Sequence, residues 1–214
     1  MLLPQFPKHQ QPIELHTLMN AAISLGIVKS SWNNVDRSLP WQAHTWRSIP
    51  SGVANAYRDG RQFQQYIEIN EYGLIYSAFV IGIGTMPLES DAFARFIPAY
   101  AILAYLDITL RFANRIYETT KYRIPLKLNA QLVRANGPRL NFLRPNQANH
   151  LRLNYLGTEC PDEVIIMLDT EVQSFDLATQ HNELMIAATS NIFWAFGIIM
   201  EPEELRKWYE ALSK

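Results

Sequence analysis

The run of residues 90–122 constrains this chain most, because it is long, rich in apolar side chains and periodic. Phe96, Ala99, Leu103, Leu106, Leu110, Ala113 and Tyr117 recur at three- and four-residue spacing, which predicts a helix with that arc in the core. On another face Asp107, Arg111, Arg115 and Glu118 stand three or four apart, the spacing of a solvated ladder of weak charge pairs rather than of a buried cluster. The first half, with Phe93, Phe96, Ile97, Tyr100 and Ile102, is apolar nearly all round, so it is expected to run through the interior. About twelve unbroken apolar positions are too few to cross a bilayer. Ser90 and Asp91 are natural N-caps, while Pro98 either kinks the helix or marks its first turn.

The flanking segments fill out an architecture. Residues 1–12 are rich in Pro and Gln and read as a flexible N-terminal arm, and residues 13–214 as a single α+β domain. A first helix is expected over 13–28, with Leu15, Leu18, Met19, Ala22 and Ile23 as its stripe and Gly26 as its stop. Residues 29–60 carry Trp32, Trp41 and Trp46 among Asn, Ser and Pro and read as an irregular lid that must fold against something to hide its indoles. Residues 61–83 change to an alternating period around Glu71-Tyr72-Gly73, which predicts a hairpin. Strands follow over 125–133, 151–156 and 164–168, with a turn at Asn136-Gly137-Pro138. A helix from Phe175 to Gly197 and a last helix opened by Pro202, Glu203 and Glu204 complete the chain. No regular β-α alternation appears. The predicted fold class is therefore α+β, a mainly antiparallel sheet packed on a long central helix with flanking N- and C-terminal helices.

Composition excludes some functions. Nineteen basic against twenty acidic residues give a net charge of −1, so no global field draws in nucleic acid or an anionic membrane. One cysteine, Cys160, rules out an intramolecular disulfide and fits a reducing, cytoplasmic setting. Gly82-Ile83-Gly84-Thr85 follows a predicted strand and precedes a predicted helix, but a third glycine is missing and Pro87 stands nearby. It reads as a plain strand-to-helix connection rather than a phosphate loop. His44, His150 and His181 have no partner at ligand spacing, and Cys160 has no neighbouring cation in sequence. Neither a catalytic residue nor a metal or cofactor is expected.

Arg58-Asp59-Gly60-Arg61 offers two guanidiniums around a turn that could hold a phosphate or carboxylate, although Asp59-Gly60 is also an ordinary turn pair. With Arg47 and the three indoles, segment 32–61 has the rings and cations of a single-strand nucleic-acid surface.

Three runs carry a resemblance: Gln65-Tyr66-Ile67-Glu68-Ile69-Asn70-Glu71-Tyr72-Gly73-Leu74-Ile75, Tyr122-Arg123-Ile124-Pro125-Leu126-Lys127-Leu128, and Asn191-Ile192-Phe193-Trp194-Ala195-Phe196-Gly197. In order and spacing, residues 35–200 resemble the region C-terminal to the schlafen-type AlbA_2 domain of bacterial proteins. The AlbA_2 domain proper, with its Glu-x-Lys core, has no counterpart here, so no catalytic residue carries over. The resemblance implies an accessory domain acting through a partner chain.

Three functional expectations follow. The first is a non-catalytic accessory or protein-interaction module, with a protein partner or a second copy, docking through Trp32, Trp41, Trp46, Arg47, Arg58 and Arg61. The second is a single-stranded nucleic-acid-associated domain using segment 32–61. The third is a small-molecule or nucleotide enzyme, which requires Arg58, Arg61 and Asp107 to converge on a pocket. The lack of a catalytic motif leans away from an enzyme, and no membrane role is expected.

Overall fold

The computed structural model of the chain describes residues 2–4, 12–30, 38–40, 45–60, 62–87, 93–123, 125–142 and 156–212. The first half runs β1 (Leu2–Pro4), α1 (Leu15–Leu25), β2 (Val28–Lys29), β3 (Ser38–Leu39), β4 (Arg47–Ile49), β5 (Gly52–Asp59), β6 (Gln62–Asn70), β7 (Ile75–Phe79), β8 (Gly84–Pro87) and β9 (Phe93–Pro98). The second half runs α2 (Ala99–Thr120), β10 (Pro125–Val133), β11 (Arg139–Asn141), β12 (Leu156–Glu159), β13 (Val164–Gln173), α3 (Leu177–Ala195) and α4 (Pro202–Glu210). The class is α+β. A seven-stranded antiparallel sheet is ordered β13-β10-β1-β7-β6-β5-β4, and a four-stranded sheet, β12-β11-β9-β8, contains one parallel pair between β9 and β11. Among the described residues no helix is long and apolar enough to cross a membrane.

The central helix is shorter than its periodicity suggested. It begins at Ala99, with Pro98 at the N-cap in extended backbone, and residues 93–98 form β9 instead. Pro98 has no N–H to donate and disfavours helical backbone at Ile97, so the helix cannot continue back through it. Phe93, Phe96 and Ile97 then pair as strand residues, for which aromatic and β-branched side chains are well suited. The proposed caps Ser90 and Asp91 lie outside the described residues. From Ala99 onward α2 is buried on almost every side, because the large sheet, α1 and α3 all pack against it.

Other expectations shift for equally local reasons. Residues 2–4, read as part of a loose arm, instead form β1 between β10 and β7. On α1 the buried face is Leu18, Ala21 and Ala22, whereas Leu15 and Ile23 are exposed. Segment 29–60 is not wholly irregular, since β3, β4 and the eight-residue β5 lie within it. Among the described residues a strand, not a helix, follows Gly82-Ile83. Gly84 opens β8, and the Phe96 ring of β9 occupies the space a Cβ would need, so this glycine serves close packing and not a phosphate. The hairpin of β6 and β7, the strand β10 and the helix α4, with Pro202 in its first turn, stand where the sequence placed them.

The β6–β7 turn is clamped by two phenols, one on the last turns of α2 and one just beyond its end. Asn70 Oδ1 accepts from the backbone N–H groups of Tyr72 (3.0 Å) and Leu74 (2.8 Å), which folds the turn tightly. The Tyr117 hydroxyl donates to the Gly73 carbonyl (2.8 Å) and that of Tyr122 to the Tyr72 carbonyl (2.6 Å), with the two rings stacked 6.1 Å apart. Gly73 has φ +80° and packs its Cα against the Tyr122 ring, so both conformation and space demand glycine.

Gly73→Ala is therefore expected to cost about 2–4 kcal/mol, the sum of a left-handed non-glycine residue and the displacement of Tyr122. Urea unfolding measures it, and a wild-type midpoint would contradict the clamp. Burial pushes the Tyr122 phenol up to about 12 and the Tyr117 phenol higher still. Unfolded tyrosine loses its proton near pH 10, so above that the unfolded chain binds fewer protons than the folded one and stability falls as pH rises. Alkaline titration followed at 295 nm should show these phenolates appearing together with unfolding, not before it.

Candidate functional site

Trp32, Trp41 and Arg61 lie outside the described residues, as do His44 and His150. The other members of the expected surface do not share one face. Trp46 is half-buried and packs against the core: its indole stacks on Phe112 of α2 with centroids 6.0 Å apart, and its buried N–H has no acceptor among the described residues. The next residue, Arg47, consequently points to the opposite, solvent side of the large sheet. There it shares a cross-strand row with Ala54, Glu68 and Tyr76. Tyr66 donates to Glu68 Oε2 (2.6 Å) on this face, and its phenol is pushed up to about 12 by burial first and by the Glu68 carboxylate second. Arg58 is exposed beside the β5–β6 turn, where Gly60 has φ +58°. It lies four residues beyond Ala54, roughly 13 Å along the strand from the Arg47 row.

The Asp107 ladder requires correction. Asp107 is fully buried, not solvated. Its Oδ1 accepts from Arg111 Nε at 2.9 Å and lies 3.0 Å from His181 Nε2 on α3, while Oδ2 accepts from Ser30 Oγ at 3.4 Å. The ring N–H of His181 does not point at the carboxylate, so that contact is a close electrostatic approach rather than a directed hydrogen bond. Arg111 keeps 41% of its side chain in water, and this eases the cost of burying its partner. Spacing along α2 could not distinguish the two outcomes. His181 itself carried the signal, since it occupies the buried stripe of α3 with Leu177, Leu184, Met185 and Ala188.

A cleft of about 220 Å³ opens beside this cluster, lined by α2 and α3, including Arg111, Arg115, His181 and Asn182. Arg58 is not among its residues, so the expected convergence of Arg58 with Asp107 does not occur. Among the described residues no group of three His, Cys, Asp or Glu could hold a metal ion. Cys160 is buried.

An exposed indole does exist, on the last turn of α3. Trp194 is 72% exposed and Ile199, just beyond the helix, 77%. The helix end is held firmly: Gly197 has φ +67°, the Ile198 N–H returns to the Phe193 carbonyl (2.9 Å), and Thr158 Oγ1 donates to the Phe196 carbonyl (2.9 Å). The chain then turns back and α4 packs along α3, with Trp208 edge-on to Phe193 at 4.9 Å and its N–H donating to the Phe142 carbonyl (2.9 Å). Between α3 and α4 runs a groove of about 400 Å³, lined by Ile186, Ala187, Ser190, Met200, Pro202 and Leu205. Its rim carries Glu203 and Arg206, and Arg206 grips Glu183 with two hydrogen bonds (3.1 and 3.4 Å). Ala187, Ser190 and Trp194 continue one stripe at three- and four-residue spacing, so the indole prolongs the groove-lining face.

Comparison with family models, with curated proteins and with solved structures gave no match to this chain. The arrangement of its own residues thus carries the functional argument. Arg111→Ala should destabilise the chain by about 3 kcal/mol, because it leaves the fully buried Asp107 carboxylate without its charged partner, while Asp107→Ala should cost less, about 1–2 kcal/mol, since it removes the buried charge and the Arg111 head already reaches water. Chemical denaturation of both variants measures the difference, and equal losses would contradict it.

Proposed function

We propose that this chain is a non-catalytic interaction module and that its docking surface is the α3–α4 face bearing Trp194. The observation that carries the reading is an indole 72% exposed on a rigid helix end, one helical turn beyond Ser190 of an apolar groove. Tryptophan is the residue most enriched among side chains that dominate binding energy, and exposed apolar patches of this kind mark interaction sites. Covering the exposed part of one such indole removes about 140 Å² of apolar surface from water, roughly 3–4 kcal/mol before the costs of association.

The occupant that fits best is a second copy of the chain. Projecting anchor and receiving groove lie side by side on one helix face, so a two-fold axis between them would seat each Trp194 in the other copy's groove. The rim offers both signs of charge, Glu203 with Lys207 and Glu183 with Arg206, and the net charge of −1 gives little repulsion between copies. An accessory role beside a partner chain, implied by the resemblance to AlbA_2-associated regions, and a cytoplasmic setting, suggested by the single thiol Cys160, belong to the same reading. The nucleic-acid alternative has less support, because Trp46 faces the core while Arg47 faces solvent.

Light scattering coupled to size exclusion should give a concentration-dependent dimer for the wild type and a monomer for Trp194→Ala, with unfolding free energies within about 0.5 kcal/mol of each other when compared at monomeric concentration. A wild-type chain that stays monomeric at about 100 μM, or a dimer that survives Trp194→Ala, would overturn the proposal.

A further inference from the structure

The cleft between α2 and α3 is chemically unlike the docking face and lies on another side of α3. Arg111 and Arg115 stand one turn apart on α2 and line it from one side, and His181 and Asn182 line it from α3. Leu110, Leu177 and Ala178 supply an apolar floor. Charge can be counted. Two guanidiniums against the single buried carboxylate of Asp107 leave one positive charge. Glu118 stands at the margin, engaged by the Asn114 amide (3.0 Å), and is not part of the lining.

Geometry supports the count. Arg111 spends only its Nε on Asp107, so the carboxylate fixes the guanidinium plane while the two terminal nitrogens keep their donors for the cleft. His181 Nε2 is buried without a directed hydrogen-bond acceptor although Asp107 stands 3.0 Å away. Asp107 thus acts as a positioning group behind the Arg111 guanidinium, while His181 Nε2 is turned inward to the carboxylate.

We propose that this cleft binds a phosphate group, free or carried by a small molecule. The net positive lining favours an anion, and the three or more acceptor oxygens of a tetrahedral phosphate can engage both guanidinium forks at once, where a carboxylate has only two oxygens. Size narrows the ligand further. Drug-sized ligands occupy pockets of about 300–1,000 Å³, and the 220 Å³ here suits a phosphate with few attached atoms. The site does not depend on the docking face, since its residues belong to α2 and the first half of α3.

Calorimetric titration of the full chain with inorganic phosphate, with glycerol phosphate and with acetate, all at one ionic strength, tests the assignment. Both phosphates, or one of them, should bind with one-to-one stoichiometry and raise the melting temperature, while acetate does neither. Binding of the ester in preference to the free ion identifies a phosphorylated small molecule, and the reverse identifies inorganic phosphate. Arg115→Gln, at a side chain that makes no hydrogen bond or ion pair to Asp107 or His181, should melt at the wild-type temperature without ligand yet bind at least about tenfold more weakly. Asn182→Ala gives a second readout on the opposite wall, with a smaller loss expected. Absence of phosphate binding at about 10 mM, equal binding of acetate, or unchanged affinity in Arg115→Gln would overturn the proposal.

Discussion

A carboxylate with no exposure to water, Asp107, sets the geometry on which both proposed surfaces depend. Burying such a charge costs several kcal/mol unless partners meet it, and here the partners come from separate parts of the chain. Arg111 lies one turn along α2, His181 on α3 and Ser30 just after β2. His181 lies on the buried stripe of α3 with Leu177, Leu184, Met185 and Ala188, and that stripe fixes how α3 is rotated about its own axis. At 100° per residue, Ser190 lies on the side of α3 opposite to His181, so turning the imidazole toward α2 turns Ser190 and Trp194 outward. The buried stripe therefore relates the cleft on one side of α3 to the apolar groove on the other.

The rest of the core makes that arrangement rigid. α2 is surrounded by the large sheet, α1 and α3, its N-terminal end follows directly from β9, and the tyrosines that clamp the β6–β7 turn lie on its last turns and just beyond its end. Phe79 and Tyr105 stack at 4.3 Å and Trp46 and Phe112 at 6.0 Å, tying β7 and the segment before β4 to successive turns of the same helix. The end of α3 is equally determined, through Gly197 and Thr158. An exposed side chain on such a fixed support presents a surface with little conformational entropy to lose on binding.

Where local chemistry decided the structure, the sequence was readable. Alternation identified β6, β7 and β10, and Pro202 followed by two glutamates identified the start of α4. β5 was hidden because Gly52, Ala54 and Ala56 give no apolar-to-polar contrast, although pairing on both sides makes it a central strand. The start of α2 was misplaced because Phe93, Phe96 and Ile97 suit a strand as well as a helix, and only the extended backbone at Pro98 separates them. For the sites, the limit was tertiary. An acid and an arginine four apart look the same on a wet helix as on a buried one, so Asp107 could be read only once α3 brought His181 to it. Clustered tryptophans drew attention to residues 32–46, yet exposure depends on which neighbours cover a ring: Trp46 is covered by Phe112, whereas Trp194 lies off the buried stripe of α3 and past the reach of α4.

The central claim is that the α3–α4 face is where this chain meets its partner, a second copy of itself. Hydrogen–deuterium exchange recorded over a series of protein concentrations tests it directly, because it locates contact as well as detecting it. The account predicts that peptides spanning residues 186–206 become more protected as concentration rises, while β4, β5 and β6 do not change. Protection that ignores concentration, or that gathers on the strands bearing Arg47 and Arg58, would contradict it.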